Sequence, residues 1–265
     1  ENKTEALNAV KEIFDGKFGK ANKLLIEEFL KGEEMSFFTI HDGKIFKNFG
    51  TAQDHKRVLE GDKGKNTGGM GAYSPSRLIN KELENKILKK IIHPTLVGLE
   101  EIGCKYRGFL YAGLMIVKNE PYLIEYNVRM GDPECQVIIP RLKTDLVKIF
   151  DNVIKNKLNR TQIKWKKEKS MTIVLCSKGY PGNYKKNRKL KNLDKVNLSK
   201  KSYIFHAGTK IHNGDLVSNG GRVLNFTVIG QNFLDIRKKI IKMIKKFNWK
   251  DGFYRRDIGW KVIHK

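Results

Sequence analysis

The sequence predicts an α+β protein in which antiparallel strands carry packed helices. Three features predict this class: two strand pairs that look like hairpins, and a long amphipathic helix near the C-terminal end. Residues 35–40 and 44–49 flank Asp42-Gly43, a dipeptide typical of hairpin turns. The second pair comprises residues 109–117 and 121–130, and the helix spans residues 233–247.

The elements before residue 160 follow from local patterns. Residues 6–14 have apolar side chains at helical spacing, and residues 24–30 predict a strand ending before Gly32. Asn80 is a candidate N-cap for a helix that Pro94 should break or kink. The apolar stripe of that helix is Leu83, Ile87 and Ile91.

The pattern changes near residue 160. Residues 144–158 predict an amphipathic helix capped by Thr144. After a lysine-rich stretch, strands are predicted at residues 171–176, 203–206 and 222–229. This new series of strands indicates a second, small antiparallel domain. The helix at 233–247 is expected to pack across its sheet through Ile236, Ile240, Met243 or Ile244, and Phe247.

Bulk composition is that of a folded protein. The 265 residues are 40% hydrophobic and 10% aromatic, enough for one large or two ordinary domains. No apolar run approaches the ~18 residues of a membrane span, and no signal-peptide pattern opens the chain. The three cysteines are far apart without a CxxC pair, which predicts free thiols and a cytoplasmic location.

The net charge of +25 raises the possibility of nucleic-acid binding. However, 42 of the 53 basic residues are Lys and they are spread along the chain. No basic-aromatic RNA motif or zinc-finger spacing accompanies them. The charge therefore favours an ordinary solvated surface, and we expect no nucleic-acid partner.

The most informative segment is Tyr122-Leu-Ile-Glu-Tyr-Asn-Val-Arg-Met130. On a strand, Glu125, Asn127 and Arg129 share one face. Carboxylate and amide oxygens suit Mg²⁺, and an adjacent Arg suits a phosphate or carboxylate. Asp132 and Glu134 follow directly and add two carboxylates. From this segment alone, a solvent-facing polar strand face is an equal alternative.

Two further segments could bind anions. Gly68, Gly69, Met70 and Gly71 form a glycine-rich run whose backbone amides could approach a phosphate, although such runs are more often plain loops. The run matches neither a P-loop nor a Rossmann fingerprint. Asp54-His-Lys-Arg57 places Lys56 and Arg57 side by side, which is more often solvated surface.

Taken together, these segments resemble the phosphoribosylamine–glycine ligase family, over essentially the whole chain. The motifs that carry the resemblance, in order, are Ile26-Glu-Glu-Phe-Leu-Lys-Gly-Glu33, Gln53-Asp-His-Lys-Arg57, Asn66-Thr-Gly-Gly-Met-Gly-Ala-Tyr-Ser-Pro75, Gly108-Phe-Leu-Tyr-Ala-Gly113, Glu125-Tyr-Asn-Val-Arg-Met-Gly-Asp-Pro-Glu134, His206-Ala-Gly-Thr209, Asn219-Gly-Gly-Arg222 and Arg256-Asp-Ile-Gly-Trp260. Eight motifs in one order make a chance match improbable.

The resemblance implies an ATP-grasp enzyme that activates glycine as an acyl phosphate and joins it to 5-phosphoribosylamine. It implies metal binding (Mg²⁺ or Mn²⁺) by Glu125 and Asn127, and catalysis by Arg129 and Asp132. ATP would contact Glu27, Glu28, Phe29, Leu30, Glu33 and Glu34. The substrates would contact Asp54, Lys56, Arg57, Gly68, Gly69, Met70 and Gly71. The full-length enzyme is expected to be a cytoplasmic monomer without a membrane or nucleic-acid partner.

The resemblance also divides the chain. Residues 1–29 would end the nucleotide-covering lid subdomain, residues 30–160 would form the central ATP-grasp domain, and residues 161–265 the C-terminal domain. The family's N-terminal domain and the first part of its ATP-grasp fold have no counterpart in this sequence. We therefore expect this chain alone to be inactive.

One departure from the family pattern concerns the metal site, and two other functional classes remain as alternatives. Residues 109–117 contain no acid, so Glu125 would have to serve both metal ions that many ATP-grasp enzymes bind. Another ATP-grasp ligase, such as a carboxylase, would not need the motifs at 54–57 and 66–75. A nonenzymatic basic binding module would show strongly salt-dependent nucleic-acid binding instead.

Overall fold

The computed structural model describes residues 2–263. By contacts between Cα atoms, the chain divides into two units, Glu1–Lys31 and Gly32–Lys265, and each is described by itself. No helix among residues 2–263 is long and apolar enough to cross a membrane.

The first unit contains one helix, α1 (Lys3–Phe14), which confirms the helical prediction. Asn2 caps it, because its side-chain oxygen accepts a hydrogen bond from the backbone N–H of Glu5 at 3.0 Å. The strand predicted at residues 24–30 is wrong. Apolar residues there suggested a strand, but a strand also needs a backbone partner, and none of the described strands pairs with this segment.

The second unit is built on one large antiparallel sheet. Its strands are β1 (Glu33–Asp42), β2 (Phe46–Asp54), β5 (Gly71–Ser74), β6 (Arg107–Val117), β7 (Glu120–Asn127), β8 (Lys169–Ser177), β9 (Ser202–His206), β12 (Arg222–Gly230) and β13 (Gly252–Phe253). Their order is β7-β6-β1-β2-β5-β8-β12-β9, with β13 beside β8. Two small hairpins stand apart: β3 (Arg57–Leu59) with β4 (Lys63–Asn66), and β10 (Thr209–His212) with β11 (Asp215–Ser218).

Both predicted hairpins are present as β1–β2 and β6–β7. In the first, the Asp42 carboxylate accepts hydrogen bonds from the backbone N–H groups of Lys44 (3.0 Å) and Ile45 (2.9 Å). Gly43 has φ = +90°, a conformation that glycine adopts without strain. The turn residues therefore explain why the chain reverses here.

One helical layer covers the sheet near β1 and β6. Asn80 caps α2 (Lys81–Ile87) by accepting from the Leu83 N–H at 2.8 Å, as predicted. The helix continues through a π-helical turn (Leu88–Ile92) into α3 (His93–Glu101). Pro94 has no N–H to donate to the carbonyl four residues earlier. This missing hydrogen bond explains why the helix changes to a π-helical turn here and then continues, although it was expected to break or kink. The predicted stripe is buried: Leu83, Ile87 and Ile91.

The helix predicted at residues 144–158 is shorter than expected, because α5 spans Leu146–Ile154. Its cap is Asp145, whose carboxylate accepts from the Lys148 N–H at 3.1 Å, so the assignment to Thr144 is wrong. The Thr144 hydroxyl instead accepts from the N–H of Lys164 at 2.7 Å. The helix ends where Asn156 adopts a left-handed conformation, with φ = +54°.

The strands after residue 160 are antiparallel, and α6 (Phe233–Phe247) packs on β8 and β12. The predicted inward stripe is confirmed, with Ile236, Ile240, Met243, Ile244 and Phe247 all buried. The sheet is continuous across both regions, because β5 pairs with β8 from Gly71–Ile173 to Ser74–Ser170. The domain boundaries near residues 30 and 160 stay predictions.

Replacement of Ile240 by Ala should destabilise the folded chain by about 2–5 kcal/mol, because Ile240 is completely buried and its loss leaves a cavity. Lys242→Ala on the exposed side of α6 is the matched control and should change stability by less than about 0.5 kcal/mol. Urea unfolding measures both free energies. Equal stabilities for the two variants would contradict the packing of α6.

Candidate active site

The metal-ligand candidates lie on the edge strand β7. Glu125 pairs with Gly113 and Asn127 with Tyr111 in one regular stretch, so both side chains share a face, as predicted. The Asn127 amide nitrogen donates to the Glu125 carboxylate at 3.3 Å. A bulge between Leu123 and Glu125 re-aims the strand just before the pair.

Arg129 does not continue this strand face. The strand was predicted to run to residue 130, but β7 ends at Asn127. The Arg129 guanidinium is exposed and donates to the backbone carbonyl of Met130 at 3.0 Å. Arg129 therefore lies after the strand, with its guanidinium bound locally.

Asp54 is the last residue of β2, and Lys56 lies two residues beyond it. The Lys56 ammonium lies 2.8 Å from the Glu34 carboxylate on β1. Burial lowers the pKa of Lys56, but the Glu34 carboxylate outweighs it and holds the pKa above its ordinary value. Lys56 is thus a fixed cation beside the acidic residues of the sheet.

A network of buried hydroxyl groups lies near Asp54. The Ser36 side chain lies 3.0 Å from the Tyr111 hydroxyl and 3.0 Å from the Glu134 carboxylate. Burial and the nearby Glu134 carboxylate raise the pKa of Asp54 well above its ordinary value. Neither Asp54 nor Glu134 has an ion-pair partner within 4.0 Å among residues 2–263.

Two adjoining cavities bring several predicted residues together. The smaller has a volume of about 10 Å³, the room that one water molecule needs, and is lined by Glu34, Asp54, Lys56 and Glu125 together with Ser36 and Tyr111. The larger, of about 220 Å³, shares Glu34, Asp54 and Lys56 and adds Glu33 and Arg57. We call these two cavities the cleft.

Glu33 and Arg57 already have partners at the border of the cleft. The Glu33 carboxylate is hydrogen-bonded to the Arg77 guanidinium. The Arg57 guanidinium donates to the Gly64 carbonyl at 2.9 Å within its own hairpin. Glu33 and Arg57 are thus held by partners within the chain, as Glu34 and Lys56 are held by each other.

The glycine-rich run lies against the cleft through its backbone. Gly69 has φ = +114°, and a Cβ atom there would lie 2.6 Å from Asp54 Oδ1 and 2.5 Å from Pro133 Cδ. Only glycine fits such a close approach. Met70 was predicted to bind substrate, but its side chain is fully buried in the core, so only its backbone could serve. Gly71 begins β5.

Arg222, at the start of β12, joins the glycine run to the turn after β7. Its guanidinium donates to the Gly68 carbonyl at 2.5 Å, to the Asp132 carbonyl at 2.6 Å and to the Asp132 carboxylate at 3.0 Å. The Gly68 N–H in turn donates to the Tyr180 hydroxyl at 2.9 Å. Arg222 was not predicted as a site residue, although it ends the Asn219-Gly-Gly-Arg222 motif.

Six residues were predicted to bind ATP. Four of them belong to the first unit, namely Glu27, Glu28, Phe29 and Leu30, and the other two, Glu33 and Glu34, belong to the second. The segment 27–30 has no regular secondary structure, and the Phe29 side chain is 75% exposed. An exposed phenyl ring and two carboxylates are available for contact with a ligand, but the grouping of all six residues stays a prediction.

The donor chemistry of Glu125 and Asn127 fits a hard divalent cation. Both supply oxygen atoms, and Glu125 has no cationic partner within 4.0 Å among the described residues. No group of three or more His, Cys, Asp and Glu side chains in residues 2–263 could hold a metal ion. A cation here would thus complete its coordination with water or substrate oxygens, as Mg²⁺ commonly does.

Comparison with known proteins matches the chain to one family. Residues 1–135 match the ATP-grasp (A) domain of phosphoribosylglycinamide synthetase, and residues 170–261 match the C domain of the same enzyme. The chain belongs to the phosphoribosylamine–glycine ligase family. A ligase of this name from Brucella melitensis is 44% identical over 262 residues, which cover 98% of this chain and 61% of the relative.

Other members of the phosphoribosylamine–glycine ligase family agree. The Agrobacterium fabrum ligase is 46% identical over 260 residues, covering 98% of this chain and 61% of the relative. The crystal structure of the Thermotoga maritima ligase superposes with a TM-score of 0.81 and 34% identity, over 97% of this chain and 64% of that chain. The predicted family and ATP-grasp fold are confirmed. The chain spans about 61% of the bacterial relatives' length.

Arg222→Gln should loosen the glycine run, because it removes charge-assisted hydrogen bonds to both Gly68 and Asp132. Such bonds contribute about 1.5–3 kcal/mol. Amide hydrogen exchange should therefore speed up about tenfold or more in peptides covering residues 66–70 and 131–134, but not in α6. Arg160→Gln, at an exposed position, is the control. Unchanged exchange around Gly68 would contradict the role assigned to Arg222.

Proposed function

We propose that this chain is part of an ATP-dependent ligase that joins glycine to 5-phosphoribosylamine, giving glycinamide ribonucleotide, ADP and phosphate. Family membership supports this reaction. The observation that carries it is the cleft, where Glu34, Asp54, Lys56 and Glu125 converge beside the glycine run. The reaction passes through glycyl phosphate, so that the amine of phosphoribosylamine can displace phosphate from an activated carboxyl group.

The reaction needs no protein nucleophile, so the work of the chain is positioning and charge neutralisation. Glu125 and Asn127 would hold Mg²⁺ or Mn²⁺. Such a cation offsets negative charge on the transferring phosphoryl group. Arg129 and Asp132 would face the reacting phosphate and glycine. Glu27, Glu28, Phe29 and Leu30 would line the adenine, with Glu33 or Glu34 on the ribose.

The remaining assignments concern phosphate groups and phosphoribosylamine. Lys56 and Arg57 would contact anionic oxygens, and Gly68, Gly69 and Gly71 would offer close backbone approach, with Met70 contributing its main chain. Lys56 is well suited, since its raised pKa keeps it charged. We also propose that the complete protein is a cytoplasmic monomer; free Cys104, Cys135 and Cys176 agree with a reducing compartment.

Asp54 is suited to receive the ammonium group of glycine. It and Glu134 are carboxylates without an ion pair in the described chain, and such groups favour a cationic ligand. The adjoining cavity of about 10 Å³ admits only one small group. Gly113 also lines this cavity, where any larger residue would crowd Glu125, because a Cβ atom would lie 3.1 Å from Glu125 Cγ. Both features support a small amino acid.

Glu125→Ala in the complete enzyme should lower glycine-dependent turnover by about 10²-fold or more, since a metal ligand at the phosphoryl group supports several kcal/mol of transition-state stabilisation. Glu120→Ala, on the same strand but paired with Lys86 and Lys90, should keep normal turnover. Phosphate release measures both rates, and Mn²⁺ titration followed by electron spin resonance measures metal binding. Normal turnover and Mn²⁺ binding in Glu125→Ala would refute the metal assignment.

Asp54→Asn should raise the KM for glycine about 10- to 100-fold, because it removes a charge-assisted hydrogen bond to the ammonium group. The KM for ATP should change little. Asp151→Asn, on the exposed side of α5, is the matched control. Equal losses for glycine and ATP would indicate a general disturbance of the cleft and reject the ammonium assignment.

A further inference from the structure

A second cavity lies at the other end of β1, and none of its lining residues belongs to the cleft. It has a volume of about 280 Å³ and opens between the β1–β2 turn, α3 and the loop before β6. Ligand sites commonly start near 300 Å³, so this space suits a molecule of one or two rings. The proposed ligase reaction gives it no role.

The walls of the cavity are mainly apolar and aromatic. Phe46, Leu96 and Val97 line its sides, and Tyr106 stands next to His41 at its base. The ring centres of His41 and Phe46 are 5.6 Å apart, and those of His41 and Tyr106 are 5.4 Å apart. Aromatic side chains in the lining offer ring contacts to a planar aromatic ligand.

His41 is a buried polar residue with one ring nitrogen unused. Only 1% of its surface is exposed, and its Nε2 lies 2.7 Å from the Thr39 hydroxyl. Its Nδ1 has no hydrogen-bond partner within residues 2–263. Because His41 lines the cavity, this nitrogen is available for a hydrogen bond to a ligand there.

The hydrogen bonds around Thr39 decide what the free nitrogen offers. The Thr39 hydroxyl donates its one hydrogen to the Leu110 carbonyl at 3.4 Å, so it accepts from Nε2–H of His41. Burial lowers the pKa of His41 to about 4, so the ring is neutral at pH 7. Nδ1 is then a hydrogen-bond acceptor, and a matching ligand must supply an N–H or O–H donor.

The rim of the cavity carries a positive balance. Lys44 and Lys105 are exposed and form no ion pair with any described residue, while Glu100 is the one acid in the lining. Two unpaired ammonium groups against one carboxylate attract a negative group at the mouth. The base of the cavity thus favours a hydrogen-bond donor on the ligand, and the rim favours a negatively charged group on the same ligand.

We infer that this cavity binds a small planar aromatic anion whose ring carries a hydrogen-bond donor. The donor contacts His41 Nδ1, the ring lies between Phe46 and the Leu96–Val97 side of α3, and the anionic group lies near Lys44 and Lys105. This site is independent of the proposed ligase chemistry.

The test uses the complete enzyme and 4-hydroxybenzoate as probe, with binding measured by calorimetry and by NMR shifts of the Val97 and Leu96 methyl groups. Benzoate lacks the donor and should bind about fivefold to tenfold more weakly, the effect of one hydrogen bond. Methyl 4-hydroxybenzoate lacks the charge and should bind more weakly with less dependence on salt. Equal affinity for all three compounds would overturn the inference.

Two variants locate the binding. Val97→Trp places a large side chain at the exposed mouth, where it should block the probe without disturbing the fold. His41→Phe keeps an aromatic ring but removes the acceptor, so benzoate and 4-hydroxybenzoate should then bind equally. Val147→Trp, at another exposed position, is the control. Absence of probe binding to the unaltered chain, or full binding to a folded Val97→Trp, would refute the site.

Discussion

The pairing of β5 with β8 is the contact on which the cleft depends. It joins the strands on both sides of residue 160 into one sheet, and it begins at Gly71, the last residue of the glycine run. A Cβ at Gly71 would lie 2.6 Å from the Thr172 carbonyl, so the two backbones can approach only because residue 71 is glycine. The same register brings β12, and with it Arg222, to the glycine run. A local sequence requirement therefore sets a long-range arrangement.

A buried guanidinium fixes the opposite border of the cleft. Arg255 is only 1% exposed and binds the carboxylates of Asp62 (2.9 Å) and Asp257 (2.7 Å) as well as the Arg57 carbonyl (2.9 Å). It ties the β3–β4 hairpin to the C-terminal segment, and burial together with this cation lowers the pKa of His55 to about 4. Loss of both carboxylates would leave a buried charge unpaired, which commonly costs about 3–5 kcal/mol.

The sequence predicted elements whose signals are local. The Asp42-Gly43 turn, the Asn80 cap and the α6 stripe depend on residues close in the chain, and each is present in the structure. The strand predicted at residues 24–30 was wrong because apolar content cannot reveal whether a neighbouring strand is available to pair with the backbone. The predicted N-cap of α5 was wrong by one residue, since Thr144 and Asp145 are both residue types that cap helices well. The Thr144 hydroxyl instead accepts a hydrogen bond from Lys164, which lies 20 positions away in the chain.

The same distinction explains the site. Glu125 and Asn127 could be predicted as a pair because strand alternation alone puts them on one face. Arg222 could not, because its partners Asp132 and Gly68 lie 90 and 154 positions away and only the sheet order brings them together. Glu134 likewise meets Ser36 across 98 positions. The chain carries a charge of +25, yet the buried Glu134 and the half-buried Asp54 lie near each other beside the cleft, and neither forms an ion pair among the described residues. In the proposed function, the ammonium group of glycine would offset the cost of holding these two carboxylates close together.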